Sequence, residues 1–539
     1  MRLAAICVLL AILSTTVTAQ DPLHGNGVPS AYVENTPGIL GGNLTVGFGS
    51  PGTPNGLAVV CVSGSFTLFT YPFAELGGPL ALNPLDPAYQ LFFFGLDAQG
   101  HGSVTVPLPP TFLPATAPPL YTHTLTFDSP TQWSVSKTAR IDWMVPNGWE
   151  AVQPLSTVRQ MHTATALGSG PRDNLTEVLI CGGATGSVIV PTPMAFAELF
   201  SPLTRAVSPL PGMSLPRAGH RAELLRDGRV LITGGITTGG RVTATCEFFD
   251  PATRTFVPAP SMGAPRAGHA MTVLGNGRVL VSGGVADWQN TATAFHVALG
   301  TAQASAEVFD PVANVWTPTL LPMSSRRMGH AQVLLPDGRV LIVSGIYGGQ
   351  QIVWSGQTGQ FPNYTDTCEI FNPPASLFNP TASLPSPPLS GLGGGRAFFG
   401  ASLLPDGTVL VTGGTWPGGG GGSSAPTNEC LQWSQGSWTR VAPLITATAF
   451  HTQATNGSGA LVVGGFVGDL ATLQPTPGVM QHNVTSVVGV ASIGTAAGFG
   501  QLRPRGAHSM TRLCDGTFLV YGGGVWPSTL GDGWIYAPN

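Results

Sequence analysis

The sequence predicts an all-β fold in which one four-stranded unit recurs around a ring. Three observations carry this reading. The stretch "PRAGHRAELLRDGRVLITGG" (216–235) returns almost unchanged as "PRAGHAMTVLGNGRVLVSGG" (265–284), and self-similarity at such a spacing marks a repeat architecture. Inside each copy two short apolar runs flank Asp-Gly or Asn-Gly, a strong hairpin signal because both turn residues tolerate positive φ. Finally, 73 Gly and 49 Pro sit in a chain that is 43% hydrophobic and only 9% charged. Such glycine and proline content without a period would read as disorder; with one it reads as a folded, turn-rich β protein.

The first two strands of the unit meet at Asp227-Gly228, Asn276-Gly277, Asp337-Gly338, Asp406-Gly407, Asn456-Gly457 and Asp515-Gly516. The second strand then ends in a pair of small residues. These are Gly182-Gly183, Gly234-Gly235, Gly283-Gly284, Ser344-Gly345, Gly413-Gly414, Gly464-Gly465 and Gly522-Gly523. After a variable loop comes a third strand with an acid followed by apolar or aromatic residues: "AELF" at Glu198, "CEFFDP" at Glu247, "AEVFDP" at Glu307, "CEIFNP" at Glu369 and "NECLQW" at Glu429. A fourth strand carries Phe256, Trp316 or Trp438. A repeat of this length and content predicts one blade of a β-propeller. The last unit stops at "GWIYAPN" without a fourth strand, and "GWEAVQPL" (148–155) supplies it from the other end. The expectation is therefore seven blades over 138–539, the final one completed by chain that precedes the first hairpin and pairs its open edge.

The glycine pair, the Arg-x-x-His element before each first strand and the Glu-x-Phe-Asp-Pro third strand resemble the kelch repeat, in its bacterial, galactose-oxidase-like branch. The resemblance covers about 140–539. It implies a kelch propeller, and it permits either a binding protein or an oxidase. The oxidases of that branch hold copper with two His and two Tyr, one Tyr next to a ligand His and the other cross-linked to Cys. This chain has no Tyr-His pair, so no copper or other cofactor is expected.

Residues 1–20 read as a secretory signal peptide: Arg2, an apolar run from Leu3 to Leu13, and small residues at Val17-Thr18-Ala19. Residues 21–137 lack the glycine pair. Alternating runs such as "NLTVGFG", "LAVVCVSG" and "YTHTLTFD" predict a small β-sandwich, with "LDAQGHGSVTVPLP" as a hairpin at its rim. The formal net charge is −4, lysine occurs once (Lys137), and no basic run exists. Nucleic acid is thereby excluded as a partner. No later segment is apolar enough for a membrane helix, and a secreted or cell-surface monomer is expected. The six cysteines beyond Cys7 show no metal-ligand spacing; most are expected to be free, with Cys246 and Cys368 at equivalent positions.

The loops after each glycine pair gather on one face and carry the candidate ligand-binding residues: Trp288, Tyr347, Trp354, Tyr364, Trp416 and Trp526. His296 and Phe361 lie in the same loops. Aromatic faces there fit sugar rings or protein ligands. Arg159, Arg217, Arg266, Arg327, Arg396 and Arg505 open the Arg-x-x-His elements, with Phe399 in place of His in one unit and Thr448 in place of Arg in another. An element present in nearly every unit serves the scaffold, so each Arg is expected to pair with the recurrent Glu or with carbonyls. No pair of loop acids (Asp287, Asp366, Asp469, Asp532) stands out as a catalytic couple. The expected function is non-catalytic binding at the loop face, with an exported oxidase or carbohydrate-active enzyme as the alternative.

Overall fold

A computed structural model describes residues 32–35, 38–39, 43–49, 57–63, 66–69, 80–82, 90–107, 119–129, 132–135, 139–141 and 143–144 of the N-terminal part. From 148 to 538 it describes all residues except 169–176, 187–189, 289–298, 355–356, 387–392, 418–423, 457–458, 468–473, 476–478, 484–485, 490–501, 514 and 526–527. The expected signal peptide, His296, Cys514 and Trp526 lie outside the described residues.

The described chain is all-β apart from a helical turn at Thr238–Gly240 and the pair 299–300, and it forms a β-propeller. Six four-stranded antiparallel sheets are each continuous in sequence. Their first strands are Thr163–Ala166, Arg221–Leu224, Ala270–Val273, Ala331–Leu334, Gly400–Leu403 and Thr452–Asn456. A further four-stranded sheet is composite: Ser509–Arg512, Phe518–Val525 and Ser528–Ala537 come from the C-terminus, and Gly148–Val152 adds the outer strand. In that closing sheet Trp149 lies opposite Tyr536, buried and tilted against its ring with centroids 4.9 Å apart. The innermost strands of neighbouring sheets lie side by side in chain order, and Ser509–Arg512 lies against Thr163–Ala166, so the circle closes.

The second strands, "VLIC", "VLIT", "VLVS", "VLIV" and "VLVT", are buried at every position. The sequence pattern points to alternation, with Val279 and Val281 inward. In the circle both faces of each sheet are covered by neighbouring sheets, so a continuous apolar run is required, as in other doubly covered strands. Each Å² of apolar surface that these strands remove from water stabilises the fold by ~25 cal/mol. The outer strands carry Pro209, Pro258, Pro318 and Pro380 opposite Glu198, Glu247, Glu307 and Glu369. Proline has no N–H to offer, which blunts the exposed edges against edge-to-edge pairing.

Before the ring, Tyr32–Asn35, Asn43–Gly49 and His101–Pro107 form one sheet, and Gln132–Val135, Leu120–Ser129, Leu57–Ser63 and Gln90–Gly95 the main path of another. Phe48 and Val104 of the first pack with Ala58, Val60, Val62, Phe92 and Phe94 of the second. The stretch after Leu96 is not a ladder hairpin. Asp97 and Gly100 make a tight turn (Gly100 N to Asp97 O, 3.0 Å), but the strands on either side belong to the two different sheets. Ala139–Ile141 and Trp143–Met144 pair with strands of this part.

Candidate functional site

The Arg-x-x-His element and the glycine pair build the inner rim on one face. The third residue of each element, in order Met161, Gly219, Gly268, Gly329, Phe398, Phe450 and Ala507, has φ between 53° and 61°. Each N–H donates to the carbonyl of the preceding member at 2.9–3.1 Å, and Met161 donates to Ala507. The result is an unbroken circle of backbone hydrogen bonds. Four of the seven are not glycine, and each such residue bears the left-handed penalty, of order 1–2 kcal/mol, that the circle offsets.

A second circle joins the sheets. The second residue of each glycine pair donates to the carbonyl of the element-opening residue in the next sheet: Gly183 to Arg217, Gly235 to Arg266, Gly284 to Arg327, Gly345 to Arg396, Gly414 to Thr448, Gly465 to Arg505 and Gly523 to Arg159. At Gly234, the first residue of its pair, the approach leaves no room for a side chain: a Cβ there would stand 2.2 Å from the Arg266 carbonyl oxygen, at φ 60°. Ser344 takes this position in the fourth sheet at φ 52°. Its hydroxyl lies 2.7 and 2.8 Å from the carbonyls of Thr365 and Arg396, between which its one proton is shared, and it accepts from the Arg396 N–H at 2.7 Å.

The arginines are buried staples within each sheet. Arg217 Nη1 donates to Gly234 O and Thr245 O, both at 2.8 Å, while Nη2 meets Glu247 Oε1 at 3.0 Å. Arg159–Glu198 (2.6 Å), Arg266–Glu307 (2.9 Å) and Arg327–Glu369 (2.7 Å) repeat the pair. The other oxygen of each Glu accepts a backbone N–H three residues before its Arg, from Ser156, Ser214, Gly263 and Ser324. Burial is the main cause of the lowered pKa of Arg159, Arg266, Arg396 and Arg505, opposed by the paired acid.

Two partners depart from the sequence reading. Glu429 precedes its strand: Cys430 occupies the register of Cys246 and Cys368, and Leu431 that of Glu247. Glu429 still reaches Arg396 and also accepts from Arg440 Nε at 2.7 Å. Arg440 stands opposite Leu431, where other sheets have proline. Asp532, read as a loop acid, lies on Ser528–Ala537 and pairs with Arg505 at 2.7 Å while accepting from Trp534 Nε1 at 2.6 Å.

Each histidine of the element bridges to a hydroxyl of the preceding sheet through Nε2: His162 to Ser509, His220 to Thr163, His269 to Thr233, His330 to Ser282, His451 to Thr412 and His508 to Thr452, at 2.7–3.0 Å. Burial pushes all six well down and keeps them neutral, His220 to about 3 and His451 to about 4. Where Phe399 replaces His, this bridge is lost. Among the described residues no group of three or more His, Cys, Asp or Glu is disposed to hold a metal ion.

The loops beyond the glycine pairs form a crown. Hairpins Ala184–Gly186/Pro191–Pro193, Ile346–Trp354/Gln357–Tyr364, Thr415–Pro417/Ser424–Pro426 and Phe466–Val467/Gln474–Pro475 rise from the first, fourth, fifth and sixth sheets, and the last three touch in sequence. Beneath them the mouth of the circle is apolar. Ile236, Val285, Trp288, Leu299, Met328 and Ile346 form one cluster, with Met161, Tyr364 and Phe398 against it. Phe398 stacks on Phe450 at 4.1 Å, and Phe450 meets Phe466 edge-on.

The six candidate aromatics are therefore not brought to one site. Trp288 is 4% exposed, a member of the buried cluster. Tyr364 packs against the same cluster and its hydroxyl bonds Ser424, tying two hairpins together; burial raises its pKa to about 12. Tyr347 is 45% exposed. Trp416 is half-buried on its hairpin, opposite Ala425. Trp354 lies at the end of Ile346–Trp354, opposite Gln357, and its side chain is outside the described residues, as is the whole of Trp526. Cys181, Cys246, Cys368 and Cys430 are free and buried, and Cys61 is buried. No helix among the described residues is long and apolar enough to cross a membrane.

No protein-family model matches the chain, and no curated protein does. Solved structures do. The structure of YjhT is 16% identical over 63% of this chain and 99% of that chain, with a TM-score of 0.43. A fungal alcohol oxidase of the AA5 family, in complex with copper, is 16% identical over 73% of this chain and 76% of that one, with a TM-score of 0.52. The second likeness is one of fold.

Proposed function

We propose that the chain is an exported, non-catalytic binding protein: a small β-sandwich followed by a seven-bladed kelch propeller whose crown of hairpins meets a carbohydrate or protein ligand. The count of seven draws on the six continuous sheets plus the composite one, and on the seven residues of each backbone circle. The sandwich draws on the two N-terminal sheets and the core between them.

One observation carries the functional reading. The arginine, acid and histidine side chains of the repeat are spent on the scaffold, as staples and inter-sheet bridges, and the mouth above them is filled with apolar side chains. Recognition then falls to the exposed parts of the crown, foremost Tyr347 and the half-buried Trp416. Alanine at these two positions, assayed on a glycan array and by pull-down, tests it: loss of a ligand held by the native chain supports the crown as the site, and unchanged binding removes it.

The fold shared with a copper-bound alcohol oxidase favours a second reading, an exported oxidase. Metal analysis of the purified protein separates the two. Stoichiometric copper with turnover of an alcohol would establish the oxidase.

A further inference from the structure

The first strands of the continuous sheets, with Ser509–Arg512 of the composite one, wall the central channel of the propeller. One of them breaks the pattern. The others read "TATA", "AMTV", "AQVL", "GASL", "TQATN" and "SMTR", charged only at Arg512. The second sheet has "RAEL", with Arg221 and Glu223 two residues apart and so on one face of the strand. We infer that this pair binds a free α-amino acid, its carboxylate on Arg221 and its ammonium on Glu223.

The first argument is that the scaffold does not use the pair. At the register of Glu223, Thr511 and Thr165 donate from Oγ1 to the carbonyls of Ala164 and Ala222 in the next sheet, at 3.1 and 3.4 Å. A carboxylate has no proton to give there, and Glu223 has no hydrogen-bond partner among the described residues. Arg221 Nε donates to His269 O in the third sheet at 2.8 Å. That bond fixes the guanidinium and leaves both Nη groups without an acceptor among the described residues. No ion pair joins the two side chains. Both keep surface open to solvent, yet burial is the main influence on each. It lowers the pKa of Arg221 and raises that of Glu223 to about 7, against the pull of Arg221. Groups both reachable and densely surrounded belong to a channel wall, not to the outer surface.

The second argument selects the ligand. An anion alone would leave Glu223 unmatched, and a cation alone would leave Arg221 so, in surroundings where an unpaired charge is costly. A neutral sugar meets neither charge. An α-amino acid carries both heads on one carbon, and the guanidinium fork suits its carboxylate. The apolar cluster with Met161, Met328 and Phe398 fills the crown end of the channel, so the ligand enters from the face where the strands turn back at Asp227-Gly228 and its counterparts. Arg512, exposed at the last position of its strand, makes that approach cationic and draws a carboxylate inward.

The strands packed against Arg221–Leu224 are Val230–Thr233, Thr163–Ala166 and Ala270–Val273, and none carries a charge. His220 and His269 flank them and are held neutral by burial. Affinity should therefore follow the ionisation of Glu223 alone. This inference shares with the proposed function only the reading of a binding protein. The Tyr347 and Trp416 variants test the crown with other ligands, so either site can fail alone. Calorimetric titration of the full chain at pH 8 would use glycine, L-alanine, L-glutamate, L-lysine and L-phenylalanine, with acetate and ethylammonium as half-ligands. The expected result is at least one amino acid bound tighter than about 10 mM, with each half-ligand at least about tenfold weaker. Affinity should fall about tenfold at pH 6, as Glu223 takes up its proton. Glu223→Gln, nearly isosteric, and Arg221→Met should each weaken binding at least about tenfold, and Glu223→Gln should remove the pH dependence. Tm confirms that each variant folds. No amino acid bound tighter than about 10 mM, half-ligands bound as tightly, or affinity unchanged in Glu223→Gln would overturn it.

Discussion

The amide of Gly523 donates to the carbonyl of Arg159 at 2.8 Å, joining the two ends of the propeller through the same bond that links each interior pair of sheets. Gly523 has φ 112°, and a Cβ there would stand 3.0 Å from the carbonyl oxygen of Gly506. Gly523→Ala should therefore destabilise the fold by about 2–4 kcal/mol, combining backbone strain with a displaced circle. Gly228→Ala, at a turn where nothing crowds a Cβ, should lose only the φ penalty of about 1 kcal/mol. Urea denaturation of the two variants gives the comparison.

The staples predict an asymmetry between breaking and replacing. Arg217→Ala strands Glu247, itself 3% exposed, and should cost about 3–5 kcal/mol. Arg217→Met with Glu247→Leu removes both charges and should recover most of that loss. Denaturant midpoints of the single and double variants would show it.

Trp288 and Tyr347 should separate packing from recognition. Trp288→Ala empties part of a buried cluster and should cost about 3–5 kcal/mol. Tyr347→Ala, at an exposed position, should change stability by no more than about 0.5 kcal/mol. A Tm shift in the first and none in the second is the expected pair of results.

The buried histidines make stability fall with acid. Their folded pKa values lie below the unfolded value near 6.5, because burial, and then neighbouring arginines such as Arg159 and Arg217, disfavour the charged form. A depressed histidine contributes stability that is intact above pH ~6.5. That stability drains away as pH falls toward the folded values, about 3 for His220 and about 4 for His451. Each contributes up to ~1.4 kcal/mol per pH unit in that window. His220→Gln should flatten the stability profile between pH 6 and 4.5 by about one proton's worth, read from urea titrations at each pH.

Much of the architecture was legible because the repeat writes its geometry in residues with few substitutes. Asp-Gly turns, glycine pairs and a missing fourth strand in "GWIYAPN" point directly to hairpins, close approach and the composite sheet. Less legible was whatever depends on register or on packing across the circle. Glu429 looks like its counterparts in sequence, yet it stands two residues before the register they occupy, which only pairing with Val409–Thr412 reveals. Asp532 is an aspartate between two glycines where the other units have glutamate, so its role beside Arg505 was hidden although Trp534 follows it as Phe200 follows Glu198. Trp288 reads as a loop aromatic available to ligands. Its burial follows from Ile236 and Ile346, which arrive from the two neighbouring sheets and leave no local signature. The signal that was available is the small or apolar residue after each glycine pair, recurring where loops must close over the mouth.

Closure of the ring depends on the N-terminal segment 148–152 completing the C-terminal sheet, with Gly148 opposite Ala537. The direct measurement is disulfide formation in the double variant Gly148→Cys with Ala537→Cys, which face each other across that pair. Mass spectrometry and reduction-sensitive Tm should show near-quantitative intramolecular cross-linking and a gain in stability of about 2–4 kcal/mol. The offset control Val152→Cys with Ala537→Cys should stay reduced. Cross-linking of the control alone, or of neither, would contradict the closure and with it the ring.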